Sequence, residues 1–200
     1  MEVKNAAFVT SMSTYHRPEI ILPQIAVAGK SNVGKSSLIN CLCRRKALAR
    51  VGETPGKTRL INLFDINSAF YLTDLPGYGF AKVQKSEILR WGEMMEDYFR
   101  RAEDLVLTLH LVDIRHEPTQ DDVTMNGFLR ASGRPFLTVA TKADKISRGA
   151  RMKYLAPICR KLAVQPWQIL CFSSETGDGR EELLAKIGEA LAGVPGPEQG

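Results

Sequence analysis

Short apolar runs alternate along this chain with longer stretches whose apolar residues recur every three or four positions, the pattern of an α/β protein with a mostly parallel sheet. Residues 24–28 form the first strand-like run. A helix is predicted to open at Gly34 or Lys35 and to bury Leu38, Ile39 and Leu42. Residues 59–66 and 69–73 read as two strands, and the tight connection Asn67-Ser68 makes them an antiparallel hairpin. A helix at 86–101 follows, capped by Ser86, with Glu87 at its positive end, Arg100 and Arg101 at its negative end, and an apolar stripe of Ile88, Trp91, Met95 and Tyr98. The unbroken run 105–112 fits a central strand covered on both faces, and Pro118 then opens a third helix where its missing N–H costs nothing. A strand at 136–140, a helix at 150–162, a strand at 168–172 and a helix at 180–191 bring the prediction to six strands, one of them antiparallel, and about five helices. Residues 1–22 are expected to form an arm packed on the domain, 23–192 the domain itself, and 193–200 a flexible Gly- and Pro-rich tail.

Two hundred residues, 44% of them hydrophobic, suffice for one well-buried core and leave little room for a second. No apolar run reaches the roughly 18 residues of a membrane span, and the first residues lack the core of a signal peptide, so a soluble, cytoplasmic protein is expected. Cys41, Cys43, Cys159 and Cys171 show no C-x-x-C spacing and read as buried, reduced thiols; His16, His110 and His116 are scattered singly and read as packed or surface residues, not metal ligands. The net charge of +5 is moderate but unevenly spread. Arg44, Arg45, Lys46, Arg50, Lys57 and Arg59 share their segment with Glu53 only, and Lys142, Lys145, Arg148, Arg151, Lys153, Arg160 and Lys161 share theirs with Asp144 only. Such clusters attract a nucleic-acid backbone; the plainer alternative is a solvated face that offsets bound phosphate charge.

The chemistry is concentrated in a few strings. Gly29 to Ser36 fits G-x-x-x-x-G-K-[ST] without a mismatch and follows the first strand, so its backbone N–H groups and the next helix's positive end point to a nucleoside triphosphate. Lys35 neutralises phosphate charge in this reading and Ser36 ligates Mg²⁺. Asp74-Leu75-Pro76-Gly77, at the end of the hairpin, reads as a D-x-x-G sensor whose aspartate reaches Mg²⁺ and whose Gly77 N–H meets the γ-phosphate. Thr58, directly before the hairpin, is the favoured third Mg²⁺ ligand beside Ser36 and Asp74, with Thr54 as the alternative. Thr141-Lys142-Ala143-Asp144 lies at the carboxyl end of a buried strand and resembles the guanine motif N-K-x-D, in which the carboxylate takes two hydrogen bonds from guanine and is left unpaired by adenine. Phe172-Ser173-Ser174 offers backbone donors to the guanine O6. The order of these motifs predicts a P-loop NTPase fold of the small-GTPase kind. Predicted nucleotide contacts are Gly29, Lys30, Ser31, Asn32, Val33, Gly34, Lys35, Ser36 and Ser37; Gly56, Lys57, Thr58, Arg59 and Leu60; Asp74, Leu75, Pro76 and Gly77; Thr141, Lys142, Ala143 and Asp144; and Phe172, Ser173 and Ser174. The rival reading from these motifs is a metabolic P-loop kinase.

Taken with their spacing, the strings 28–40, 54–58, 74–79, 113–116, 141–145 and 172–174 resemble the EngB (YihA/YsxC) family of ribosome-biogenesis GTP-binding proteins. Thr141 in place of Asn is itself typical of that family and distinguishes it from the Era and EngA branches. The resemblance implies a GTPase that binds GTP and GDP with Mg²⁺, acts in assembly of the large ribosomal subunit through RNA or protein of its precursor, serves normal cell division and septation, and works as a monomer away from membranes. In many GTPases a Gln after D-x-x-G orients the attacking water; here Tyr78 stands there, so slow intrinsic hydrolysis is expected. Lys35, Thr58, Gly77 and Asn32 are the candidate catalytic residues, Asn32 because an Asn at this position helps related GTPases bind K⁺; the alternative is that Asn32 serves loop conformation.

Overall fold

Strand-forming residues with both faces covered dominate the centre of the molecule: β2 (Gln24–Gly29) is buried at every position, and β5 (Leu105–Asp113) at all but two. The computed structural model describes residues 1–50, 60–79 and 84–193. Its other strands are β1 (Ala6–Met12), β3 (Ile61–Ile66), β4 (Phe70–Asp74), β6 (Phe136–Thr141) and β7 (Ile169–Cys171). The helices are α1 (Lys35–Leu42), α2 (Lys85–Arg101), α3 (Gln120–Ala131), α4 (Arg151–Leu162) and α5 (Arg180–Ala192). The sheet order is β1-β3-β4-β2-β5-β6-β7. Among the described residues β3 alone runs against the other six strands, because it pairs antiparallel with both β1 and β4 while every other pairing is parallel.

The sheet therefore has seven strands where the sequence pattern predicts six. The additional strand, β1, lies inside the expected N-terminal arm. Only its end residues, Ala6 and Met12, are buried, so it carries no alternation to betray it; it becomes a strand by taking the open edge of β3, with a bulge between Phe8 and Thr10. The arm is then pinned by Tyr15, which stacks edge-on against Tyr98 at 5.1 Å and whose hydroxyl accepts from Gln24 Nε2 at 2.7 Å. Pro118 stands just before the third helix and not in its first turn: Thr119 is the cap, and its N–H and hydroxyl both donate to Asp122 Oδ2 at 2.7 Å. Residues 194–200 of the expected tail lie outside the described residues.

Helices cover both faces. Leu38, Ile39 and Leu42 of α1 and Leu183, Leu184 and Ile187 of α5 pack on one face of the sheet. Met95, Tyr98 and Phe99 of α2 and Met125 and Leu129 of α3 pack on the other, continued by Leu155, Ile158 and Leu162 of α4. Each such fully buried side chain contributes about 1.5–3 kcal/mol. Of the stripe expected on α2, Met95 and Tyr98 are in the core and Trp91 is half-buried, but Ile88 is 53% exposed. All parallel strands thus end at one rim of the sheet, the position from which α/β proteins present loops to a ligand.

Candidate functional site

The loop between β2 and α1 is shaped by two left-handed residues, Asn32 at φ 64° and Gly34 at φ 113°. The second value lies where a side chain would be strained, which is the reason for glycine directly ahead of Lys35. Helix α1 has no acidic residue in its first turn, so its positive end is left to an anion. Ser36 and Ser37 stand half-buried in that turn.

The D-x-x-G segment is laid directly on this loop. Asp74 closes β4 at 6% exposure, opposite Val27 of β2, and Leu75 N–H donates to the Val27 carbonyl at 3.0 Å. Lys30 and Tyr78 form a parallel bridge, and Ser31 N–H donates to the Tyr78 carbonyl at 2.9 Å. A Cβ built on Gly77 would stand 2.8 Å from Ser31 Oγ, 2.9 Å from Lys35 Nζ and 3.1 Å from Ser31 N. A side chain there would push Ser31 Oγ and the Lys35 ammonium aside and crowd the Ser31 backbone, and the Lys35 ammonium and the Gly77 backbone face the same point.

Tyr78, the residue where many GTPases carry Gln, points away from that point. It is 5% exposed, packs edge-on against Trp91 at 5.8 Å, donates its hydroxyl to Asp122 Oδ1 at 2.8 Å and lies 3.0 Å from His110 Nε2. Since the one phenolic proton goes to the carboxylate, His110 must donate from Nε2, leaving Nδ1 as a lone pair without a hydrogen-bond partner among the described residues. Burial lowers the His110 pKa to about 4, so the imidazole is neutral. Burial and the neighbouring carboxylates push the Tyr78 phenol well above its ordinary value. Trp91 Nε1 donates to the Pro76 carbonyl at 3.0 Å and fixes the other side of Gly77.

The T-K-x-D string is tied to the same loop from the opposite side. Thr141 Oγ1 lies 2.7 Å from the Val33 carbonyl and 3.1 Å from that of Val112. Lys142, itself left-handed at φ 61°, donates from Nζ to the Asn32 carbonyl at 2.8 Å and pairs with Asp113 at 3.0 Å. Burial of Asp113 favours its neutral form, but hydrogen bonds from Arg115 and Lys142 outweigh it and hold the carboxyl far below the usual range. Ala143 N–H donates to the Phe172 carbonyl at 3.0 Å, which brings the last motif alongside. Asp144 is held below its ordinary pKa first by Lys145, at 2.9 Å, and also by Ser173 Oγ, which donates at 2.8 Å. Ser173 is fully buried and Ser174 half-buried at this turn.

Gly29 to Ser37, Asp74 to Gly77, Thr141 to Asp144 and Phe172 to Ser174 are therefore gathered at one rim of the sheet. Leu60 is half-buried ahead of β3, whereas Gly56, Lys57, Thr58 and Arg59, and Thr54 with them, lie outside the described residues. Asp113 was missing from the predicted set, although a carboxylate at the carboxyl end of a central strand is itself a signal. The second basic cluster is also less free than its segment implies: Lys142 pairs with Asp113, Arg148 and Arg151 with Asp178, and Lys161 with Glu117. All four cysteines are free thiols, buried or half-buried; Cys43 is pushed up to about 12 by burial.

Residues 24–142 match the model of a family described as 50S ribosome-binding GTPase. A probable GTP-binding protein EngB of Desulfitobacterium hafniense is 49% identical over 192 residues, covering 95% of this chain and 96% of its own. Its counterpart in Exiguobacterium sibiricum is 51% identical over 181 residues, covering 90% and 94%. Among solved structures, a probable GTP-binding protein engB superimposes with a TM-score of 0.69 at 27% identity, covering 86% of this chain and all of the other. Aquifex aeolicus Era bound to GDP and AlF4⁻ gives a TM-score of 0.66 at 26% identity, covering 90% of this chain and 59% of Era.

Proposed function

The chain belongs to the EngB family of GTP-binding proteins and is a GTPase, and on that footing we propose that it is a Mg²⁺-dependent GTP switch with slow intrinsic hydrolysis, acting in assembly of the large ribosomal subunit and needed for normal cell division and septation. One observation carries the switch reading. The phosphate loop is gripped from both sides, by the Gly77-Tyr78 backbone through Ser31 and by Thr141 and Lys142 through the Val33 and Asn32 carbonyls. Phosphate recognition, sensing and base recognition thus meet in one hydrogen-bonded unit. The ribosomal part of the reading is supported by the description of the matched family. No described helix is long and apolar enough to cross a membrane; a monomer in the cytoplasm is the state we propose.

The loop N–H groups and the α1 terminus bind the phosphates, Lys35 balances their charge, and Gly77 N–H reads the γ-phosphate. Asp144 accepts from the guanine edge, and the Lys142 stem, held by Asp113 and Asn32, covers the base plane. Ser36 and Asp74, with Thr58 from outside the described residues, form an all-oxygen donor set of the hard kind Mg²⁺ takes. When bound, the ion neutralises charge on the phosphates. Tyr78 cannot orient the attacking water, being turned into the core and committed to His110 and Asp122; slow turnover follows. Asn32 is the candidate for a K⁺ ligand that offsets this. Its φ of 64° equally favours the alternative, since Asn tolerates that conformation better than most side chains.

RNA or protein of the large-subunit precursor is the proposed partner. Arg148 is 84% exposed, while Arg151 is 19% exposed and paired with Asp178, so Arg148 is the better-placed phosphate contact of the two. Binding of fluorescent GTP, GDP, ATP and xanthine nucleotides to the native chain and to Asp144→Asn tests the guanine assignment. Guanine selectivity that moves toward xanthine supports it; unselective binding that the substitution leaves unchanged returns the kinase reading.

A further inference from the structure

A groove of about 390 Å³ runs between α2 and α3 on the sheet face opposite α1 and α5. Ile88, Trp91 and Met95 of α2 form one wall at helical spacing, and Thr124, Met125 and Phe128 of α3 the other. Glu96 and Asp121 are the charged residues among those lining it, and no described lysine or arginine does so. Ile88 at 53% exposure belongs to this wall and not to the core.

Gly92, in the middle of α2, also lines the groove. A Cβ placed there would meet nothing within 4 Å among the described residues. Relative to Ala, glycine costs the helix about 1 kcal/mol. With no side chain at Gly92, the groove floor between Trp91 and Met95 is backbone alone.

We propose that the α2–α3 groove is the docking site of a cationic protein segment, an amphipathic helix with apolar anchors along one face and lysine or arginine along the other. The apolar walls take the anchors in the helix-in-groove manner, and Glu96 and Asp121 face the cations. The acidity is local: the chain as a whole carries +5, so general attraction would favour an anionic ligand. RNA would meet two carboxylates among the lining residues; the Lys30 stem, which a Cβ on Gly79 would meet at 2.8 Å, lies beside Asp121 at one end, and Glu96 at the other is the carboxylate further from it. Tyr78 and Gly79, which follow the sensor glycine, are among the lining residues, and the Tyr78 carbonyl holds Ser31 of the phosphate loop, so an occupant lies beside the D-x-x-G segment. The proposal goes beyond the nucleotide-switch reading and is tested apart from it.

Fluorescence anisotropy with the full chain would use three labelled probes: a peptide spanning about four helical turns with leucine and tryptophan on one face and lysine on the other, its twin with glutamate for lysine, and a short single-stranded RNA. The lysine peptide should bind at least about tenfold more tightly than its twin. Gly92→Leu, which fills the groove, and Glu96→Lys, which reverses one end, should each weaken it by about tenfold or more. Gly127→Ala, an equally open helical position outside the groove lining, should change nothing, and GDP affinity should be the same in all three variants. Equal binding of the two peptides, or binding that Gly92→Leu and Glu96→Lys leave intact, overturns the proposal. RNA binding, or concentration-dependent self-association in sedimentation, that Gly92→Leu abolishes reassigns the groove and overturns it as well.

Discussion

Mild acid should weaken the folded chain through one buried imidazole. His110 has no exposed surface, and burial takes its pKa from 6.5 to about 4 against a smaller upward pull from Asp122. The folded-state value lies below the unfolded one, so between these values the unfolded chain binds the proton and the folded chain does not. Stability is complete above pH 6.5 and is lost as the pH falls toward 4, where the folded imidazole also protonates. At about 1.4 kcal/mol per pH unit the whole displacement amounts to about 3 kcal/mol, of which about 2 kcal/mol is gone by pH 5. The structural reason is plain: Nε2 is occupied by Tyr78, and a second proton on Nδ1 would make a buried cation with no hydrogen-bond acceptor for that proton among the described residues. Asp113 and Asp144 leave the window clear, because carboxylates held below 3.8 give up their contribution only beneath that value. Urea unfolding of nucleotide-free protein at pH 7.5 and pH 5, followed by tryptophan fluorescence, should show the midpoint falling by about 1 M. His110→Gln, whose amide can still meet the Tyr78 hydroxyl, should flatten that pH dependence whatever its own stability. An equal fall in the variant and the native chain would refute the assignment.

Gly77→Ala should cost GTP about tenfold or more in affinity and GDP much less, because the added carbon crowds Lys35 Nζ and Ser31 N while the fold is otherwise untouched; nucleotide titration with an unchanged thermal midpoint checks it. Thr141→Val removes a buried hydroxyl from the Val33 and Val112 carbonyls and should lower stability by about 1–3 kcal/mol, with weaker binding of both GTP and GDP, measured by denaturation and by titration. If Asn32 helps hold K⁺, steady-state hydrolysis in KCl should exceed that in NaCl; equal rates, with and without ribosomal particles, would leave Asn32 its conformational role alone.

That the motifs gather at one rim of the sheet was legible because their requirements are local. A left-handed residue at Gly34, close backbone approach at Gly77 and a carboxylate at a strand end each demand a particular residue at a particular place in the string. Strands such as β5 were legible because both faces are covered, so that apolar character alone identifies them. What escaped depends on distant partners. β1 has too few inward side chains to show a period and takes its conformation from the free edge of β3. Tyr78 read as an absent glutamine, but its role is set by His110 and Asp122, which lie 32 and 44 residues further on. The basic cluster after Asp144 looked unbalanced because Asp113 and Asp178 lie outside its segment. Ile88 read as part of the core stripe of α2, yet it is 53% exposed, since an apolar residue left at the surface keeps the same helical spacing as one turned to the core.

The two struts from Thr141 and Lys142 to the Val33 and Asn32 carbonyls bear on how such a protein can diverge. On the proposed assignment, a substitution at either residue that alters the fit to the base also loosens the turn proposed to receive the triphosphate, so a change in one would be felt at the far end of the nucleotide. Lineages would then hold base identity fixed and vary the outer surfaces instead, changing which assemblies they serve long before changing which nucleotide they carry.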